Sequence, residues 1–291
     1  MTILLNGKEV AQAVRDDIQE ILTTIPAHLP RPCLHTILVG EDPASQVYVR
    51  TKQKRSEKWG MRSSSQYLPE DTTQKELEKI IHVLNAHSEV HGILVQLPLP
   101  PQINTHEVMD RIDPKKDVDG FTAENTTKLY RGEDCLEPCT PKGILRILDH
   151  YDINTQGMHA VIVGRSDIVG KPMYSMLSTK NRNATVTLCH SRTKDLPHIT
   201  RQADLLIAAI GKPNYITEEM VKEGAVVIDV GINQIPDPTK KRGYRLVGDV
   251  DFDAVYEKVS AITPVPGGVG PMTIASLMEN TMLAYMLQHQ G

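Results

Sequence analysis

The sequence predicts an α/β protein of two three-layer domains with a cleft between them, the second a Rossmann-like doubly wound parallel sheet. Three observations predict it. In the first half, short apolar runs alternate with stretches of helical periodicity, the order expected of a parallel sheet covered by helices. In the second half, four apolar runs each end in a small or permissive residue, at Gly164, Cys189-His190-Ser191, Gly211 and Gly231. Strands end this way when their carboxyl edge approaches a ligand closely. Only one Trp and two Phe occur in 291 residues, so the interior must be built from Ile, Leu, Val, Ala and Met, as in parallel sheets.

That length suits two domains with a sizeable core. With 32 basic and 36 acidic residues, net −4, nothing draws the whole surface to nucleic acid or anionic lipid. Cys33, Cys135, Cys139 and Cys189 are scattered, without the second Cys or His pair of a zinc site, and read as reduced structural thiols. Lys8 and Glu9 follow only a short apolar start, which excludes a signal peptide, and no apolar run approaches the ~20 residues of a membrane span. A cytoplasmic protein without metal, membrane or nucleic-acid partners is expected.

Met1–Leu5 reads as a short strand. Val10, Val14, Ile18, Ile21, Leu22 and Ile25 recur at helical spacing until Pro26, Pro30 and Pro32 end the helix. Leu34–Val39 is a buried strand. Directly after it, Asp42 can cap a helix and Pro43 suits the first helical position. Tyr48 and Lys52 then stand four apart on one face, just past the carboxyl end of a strand, where open α/β sheets bind ligands; a solvated helix face would show the same pair. Ser64–Leu68 is a further strand, Thr73–Asn85 a helix, and Gly92–Leu97 a third buried strand closed by prolines. Asn104 or Thr105 can cap a short helix. Gln96 is a polar residue in an apolar strand end. A buried amide needs partners, and either backbone or the Lys52 amine would serve. His87 and His91 flank a helix end without the glutamate of a metalloprotease and are expected on the surface. The loop Asp113–Phe121 is either a solvated turn or the seat of a partly shielded carboxylate, Asp119. Such a group can grip a ring with adjacent N–H donors through two parallel hydrogen bonds.

Thr140 can cap and Pro141 open a connecting helix, so the domain junction is placed there. Residues 1–139 with 273–291 form one expected domain and 140–272 the other. His159–Val163, Ala184–Leu188, Asp204–Ile210 and Ala225–Val230 are the strands of the second. After the first of them, Gly164-Arg165-Ser166 opens a helix where backbone N–H groups and the helix dipole favour phosphate. The middle glycine of the usual dinucleotide fingerprint is Ser166, so position rather than motif supports the reading. The second strand ends without the acid that holds the ribose 2′-hydroxyl of NAD. Arg165, after the first strand, and Arg192 are available instead for a 2′-phosphate, and Ser191 can add a hydrogen bond, so NADP is favoured, unless both arginines are ordinary surface residues. Pro236–Arg245 reads as a surface loop. Thr263–Thr273 holds three glycines and three prolines in eleven residues, a composition that reads as a loop closing over a ligand and not as a helix interior. A long helix containing Ile274, Leu277, Met278, Met282 and Leu287 follows.

Glu41–Val49 with Lys52, Val95–Pro100, Lys116–Phe121, Pro138–Pro141, Gly164–Ser166 with Ile168–Met173, Asp229–Asn233 and Pro264–Thr273 together resemble the bifunctional methylenetetrahydrofolate dehydrogenase/methenyltetrahydrofolate cyclohydrolase family, over nearly the whole chain. The resemblance implies Lys52 as catalytic lysine, Tyr48 as the tyrosine that aligns folate, Gln96 as the amide paired with the lysine and Asp119 as the carboxylate that binds the pterin. It implies folate contacts from Val95, Leu97, Pro266, Gly267 and Gly268. Gly164, Arg165, Ser166, Ser191 and Ile232 are implied at the cofactor, with NADP and a homodimer through the cofactor domain. Where the family often has Asn-x-Gly-x-Leu, this chain has Asn125-Thr126-Thr127-Lys128-Leu129, which puts the local turn in question.

The chemistry implied is hydride removal from a methylene carbon between two nitrogens, then attack of water on the methenyl carbon. The first step needs mainly orientation of two rings. The second needs proton handling, for which Lys52 must act as a neutral amine. A dehydrogenase that lacks the second step, or a dinucleotide-sensing module, would share parts of the pattern. Methenyl-substrate hydrolysis without NADP separates the first, and the convergence of Tyr48, Lys52, Gln96 and Asp119 opposes the second. Lys54, Arg55 and Lys58 could meet a polyglutamate tail or form a solvated helix face.

Overall fold

A computed structural model describes residues 1–289. In chain order, Ile3–Leu4 (β1) precedes the helix Gly7–Thr24 (α1). Cys33–Val39 (β2), Pro43–Lys58 (α2), Arg62–Leu68 (β3), Gln74–Ala86 (α3) and Gly92–Val95 (β4) follow. Then come the helices Thr105–Met109 (α4), Ala123–Arg131 (α5) and Cys139–His150 (α6). His159–Val163 (β5), Gly170–Leu177 (α7), Thr185–Cys189 (β6), Leu196–Thr200 (α8), Leu205–Ala208 (β7) and Val226–Asp229 (β8) repeat the alternation. Asn233–Pro236 (β9), Tyr244–Val247 (β10), Phe252–Val255 (α9), Ala261–Ile262 (β11) and Val269–His289 (α10) complete the chain.

The chain divides into two compact units. One comprises Ala13–Cys139 and the chain from Ile274 onward; the other comprises Met1–Gln12 and Thr140–Thr273. The first has a three-stranded parallel sheet in the order β3-β2-β4, with Ile37 paired to Val95. Its core gathers Ile37, Leu77, Ile81, Ile93, Val95 and Val108. Thr73 and Glu76 form a reciprocal capping box at the start of α3. The Asn125–Leu129 segment, whose turn was in question, lies inside α5, and the Thr127 hydroxyl donates to the Ala123 carbonyl at 2.7 Å. The helix therefore absorbs the departure.

The second unit has a six-stranded parallel sheet, β1-β11-β8-β7-β5-β6. From β5 the chain continues to β6 on one side and to β7, β8 and β11 on the other, with β1 beyond β11, so the turn after β5 sits at a topological switch point. The four expected strands are present. The amino end differs from the expectation that placed 1–139 together. The N–H groups of Ile3 and Leu5 donate to the carbonyls of Ser260 and Ile262 at 2.8 Å, which seats β1 beside β11. The stretch expected as a loop at Pro236–Arg245 instead joins an antiparallel hairpin, with β9 and β10 contributing its ends.

The terminal helix also begins earlier than its composition suggested. Val269, Gly270 and Pro271 already belong to α10. A proline in the first turn forfeits an N–H that has no helical partner there, so Pro271 does not oppose it. His91, expected on the surface, is fully buried. Its Nδ1 accepts the Cys33 N–H at 3.1 Å, and its ring lies 4.8 Å from that of Tyr285. Burial, then the charges of His289, Lys116 and Arg62, push it down to about 4. Lys116 and Asp117 are buried too, so the loop before Asp119 is not a solvated turn.

Candidate active site

The Tyr48–Lys52 face is set by its helix start. Asp42 accepts the Ser45 N–H at 2.7 Å, and Pro43 occupies the first turn of α2. One turn apart, the two side chains then emerge differently: Tyr48 is 43% exposed, whereas Lys52 is only 8% exposed. The Lys52 Nζ donates to Gln96 Oε1 at 2.9 Å and lies 5.7 Å from the centre of the Tyr48 ring. Both uses open to Gln96 are realised, since its Nε2 donates to the Leu97 carbonyl at 2.8 Å. The amide orientation follows from its partners, because the Lys52 amine donates to one end and the Leu97 carbonyl can only accept from the other. The Gln96 backbone N–H donates to the Ile37 carbonyl at 2.8 Å, so the residue continues the β2–β4 ladder to its carboxyl end.

Asp119 joins this cluster electrostatically. Burial pushes its carboxyl up, the Lys52 charge opposes the shift, and Asp117 adds to it. The Cys139 thiol donates to Asp119 Oδ1 at 3.5 Å and to the Val118 carbonyl at 3.3 Å. Two residues that sequence reasoning missed hold the loop in place. Asp117 accepts from the N–H groups of Gly120 and Thr122 and from the Asn125 amide, at 2.8–3.0 Å. Asn280, buried in α10, donates to the carbonyls of Val118 at 2.8 Å and Glu137 at 2.7 Å. An asparagine in the apolar stretch of α10 was the available signal.

Among the other substrate-side candidates, the Val95 side chain is committed to the core, which leaves only its backbone to offer. Leu97 is half-buried. Pro266, Gly267 and Gly268 belong to the other unit. There a Cβ on Gly7 would lie 1.8 Å from the Gly268 carbonyl oxygen, so the loop packs directly on the start of α1.

The turn after β5 is shaped for close approach. Gly164 has φ +133, and a Cβ there would sit 2.1 Å from the Ala209 carbonyl oxygen. A Cβ on Gly170 would lie 2.0 Å from the Gly164 carbonyl oxygen. Ser166 Oγ accepts the Val169 N–H at 3.2 Å, which leads the chain into α7. Arg165, Ser166, Ser191 and Arg192 are exposed around this edge, and Ile232 is 51% exposed. Beyond β6 the His190 N–H donates to Thr193 Oγ1 at 2.9 Å, and the Arg192 N–H donates to His190 Nδ1 at 3.1 Å. A glycine cradle that side chains would fill, a helix start and the exposed Arg165 and Arg192 fit a phosphorylated dinucleotide. Among the described residues, no group of three or more His, Cys, Asp or Glu could hold a metal ion, and no helix is long and apolar enough to cross a membrane.

Comparison with known proteins agrees with this geometry. Residues 5–119 match the family described as tetrahydrofolate dehydrogenase/cyclohydrolase, catalytic domain, and residues 138–289 match its NAD(P)-binding domain. A bifunctional protein FolD of Prosthecochloris aestuarii is 54% identical, with 99% of each chain covered. Among solved structures, the bifunctional FolD enzyme of Campylobacter jejuni aligns with a TM-score of 0.94 and 46% identity, covering 99% of both chains. The Trypanosoma brucei dehydrogenase-cyclohydrolase, complexed with NADP cofactor and inhibitor, aligns at 0.93 and 38% identity, covering 100% of this chain and 99% of that one.

Proposed function

The chain belongs to the tetrahydrofolate dehydrogenase/cyclohydrolase family, and from that premise we propose how its residues share the two reactions. The protein oxidises 5,10-methylenetetrahydrofolate to 5,10-methenyltetrahydrofolate with NADP, then hydrolyses the product to 10-formyltetrahydrofolate. The observation that carries the assignment of roles is the Lys52 amine, buried beside Tyr48 and aimed by Gln96 at 2.9 Å.

Asp119 holds the pterin. Its desolvated carboxylate gains most from the paired N–H donors of such a ring, and Asp117 and Asn280 keep its loop in place. Tyr48 offers an exposed aromatic face on which a flat substrate can align. In the oxidation these groups orient the substrate. NADP, when bound, supplies the hydride acceptor. Gly164, Arg165 and Ser166 would hold its phosphates, Ile232 would line its site, and Ser191 with Arg192 would meet the 2′-phosphate.

In the hydrolysis, water adds to the cationic methenyl carbon and loses one proton, and as one ring C–N bond opens the hydroxyl of the adduct loses its second proton to become the formyl oxygen. One of these protons goes to the departing nitrogen and the other is released, with Lys52 Nζ placed to carry them. Gln96 aims the amine through its carbonyl oxygen.

We further infer a homodimer formed through the cofactor unit. The edge strand β6, with Val186 and Leu188 only half-buried, supports this, because parallel sheets are usually covered. Exposed Lys54, Arg55 and Lys58 on the Lys52 helix support binding of a polyglutamate tail. The free cysteines are compatible with the cytoplasm.

The test is absorbance of the purified protein with 5,10-methylenetetrahydrofolate and either NADP or NAD. Reduced nicotinamide should form with NADP while the methenyl product fails to accumulate. Accumulation of methenyl product would remove the hydrolytic role of Lys52, and a preference for NAD would overturn the reading of Arg165, Ser191 and Arg192.

A further inference from the structure

We propose that Asp249 is a positioning residue for the cofactor, a buried carboxylate that fixes the loops leaving β7 and β8 as one surface. The inference rests on the assignment of the six-stranded unit to NADP. Asp249 is fully buried and follows β10. Its Oδ2 accepts the backbone N–H groups of Ile210 at 2.6 Å and Gly211 at 2.9 Å, the residues through which the chain leaves β7. Its Oδ1 accepts Nδ2 of Asn233 at 2.9 Å, at the far end of the loop from β8 that displays Ile232. One carboxylate therefore spans both loops at the carboxyl edge of the sheet, where ligands of such sheets bind.

Asp249 is itself held by a second acid. Asp229 ends β8, and its Oδ1 accepts the N–H groups of Asp249 and Gly231, both at 2.9 Å. Its Oδ2 accepts the Val250 N–H at 2.9 Å. The loops are drawn in so closely that only glycine fits beside the acids. A Cβ on Gly231 would lie 2.2 Å from Asp249 Oδ1, and one on Gly248 would lie 1.7 Å from Asp229 Oδ2. Burial pushes Asp229 up to about 6, opposed by its three backbone donors, with the Asp249 charge adding to the rise. A core that needed only stability would fill this space with apolar side chains, because burying two adjacent carboxylates is costly. What the acids add is direction, through short bonds that set where Gly211 and Ile232 stand.

The bifunctional chemistry supplies a control, since hydrolysis of methenyltetrahydrofolate can be followed without NADP. Calorimetric titration of NADP into the full chain should show a dissociation constant raised about tenfold or more in Asp249→Ala, which leaves the Ile210 and Gly211 N–H groups without their acceptor. Hydrolysis without NADP should be unchanged. Asp249→Asn keeps the shape and one accepting oxygen, and should weaken NADP less. If the alanine variant does not fold, the asparagine variant decides, with weaker NADP binding and unchanged hydrolysis as the supporting result. Unchanged NADP binding in a folded Asp249→Ala, or in Asp249→Asn if only that variant folds, would overturn the proposal. So would hydrolysis that falls in step with binding, which marks a merely structural role. Wild-type protein that binds no NADP would remove the cofactor assignment itself, and the proposal with it.

Discussion

The two compact units present different kinds of surface for their ligands. In the unit built on β3-β2-β4, the candidate chemistry lies in side chains: Lys52 Nζ on Gln96 Oε1, the Tyr48 ring and the half-buried Asp119 carboxyl. In the six-stranded unit, the surface is mostly backbone at Gly164, Gly211 and Gly231, shaped by glycines and held from beneath by Asp229 and Asp249. A reactive side chain can be deleted by one substitution with little change of shape. A backbone surface loses affinity in steps, because many groups share the contact. The first unit should therefore show nearly all-or-none effects and the second graded ones.

The largest expected effect lies on the side-chain surface. Lys52→Met keeps an unbranched apolar stem at this buried position but removes the amine, leaving Gln96 Oε1 without that donor at a cost of about 1 kcal/mol in stability. Methenyltetrahydrofolate hydrolysis should fall about a thousandfold, while NADP binding, measured by titration, stays as in the wild type. Hydrolysis that survives in the folded variant would sink the proton-handling role. It would also erase the contrast, because the chemistry would then not reside in the side chain.

How far this contrast could be read from the sequence depended on the range of the interactions. Asp42, Pro43, Tyr48 and Lys52 lie within three turns of one helix, so cap, face and spacing were all local. The four strands of the second unit were visible as apolar runs with small ends. The Asp249–Ile210 contact, the Asn280–Val118 contact and the pairing of β1 with β11 join residues 39, 162 and about 258 positions apart. No local pattern marks such partners, and Asp249 in sequence is one acid among several. His91 misled for the same reason: its apolar neighbours Tyr285 and Cys33 are brought to it by the fold.

The next effect sets one buried group in each unit against the other. His91 is held below its ordinary 6.5, at about 4. Its folded state binds fewer protons than the unfolded chain between those values, so its contribution is present above pH 6.5 and is lost as pH falls towards 4. The loss amounts to about 3 kcal/mol. Asp229 is raised from 3.8 to about 6. Its folded state binds more protons in that window, so its contribution is present below 3.8 and is lost as pH rises through 6. Thermal unfolding at several pH values should show the stability gap between wild type and His91→Phe narrowing from pH 6.5 to 4. The gap between wild type and Asp229→Asn should widen over the same descent. Gaps that move in the same direction would show that the two units are not oppositely poised.

The smallest effect refines the contrast from within the backbone surface, where cofactor choice is left to side chains. Arg192 stands exposed beyond β6, its N–H bonded to His190 Nδ1 at 3.1 Å in a turn that also places Ser191. An exposed guanidinium on a phosphate gains a charge-assisted bond, but water competes for both partners. Arg192→Ala should therefore reduce kcat/KM for NADP about tenfold and leave NAD nearly unchanged. If the turn at Gly164 cradles the phosphates that both dinucleotides share, a substitution there should lower both together. Equal losses for NADP and NAD in Arg192→Ala would mean that this arginine supports the turn and does not read the 2′-phosphate. Selectivity would then rest with Arg165 and Ser191, whose substitution in the same assay should reduce NADP alone. A selective loss in Arg192→Ala would show that the backbone surface provides the general affinity and that the side chains at its rim distinguish one dinucleotide from the other.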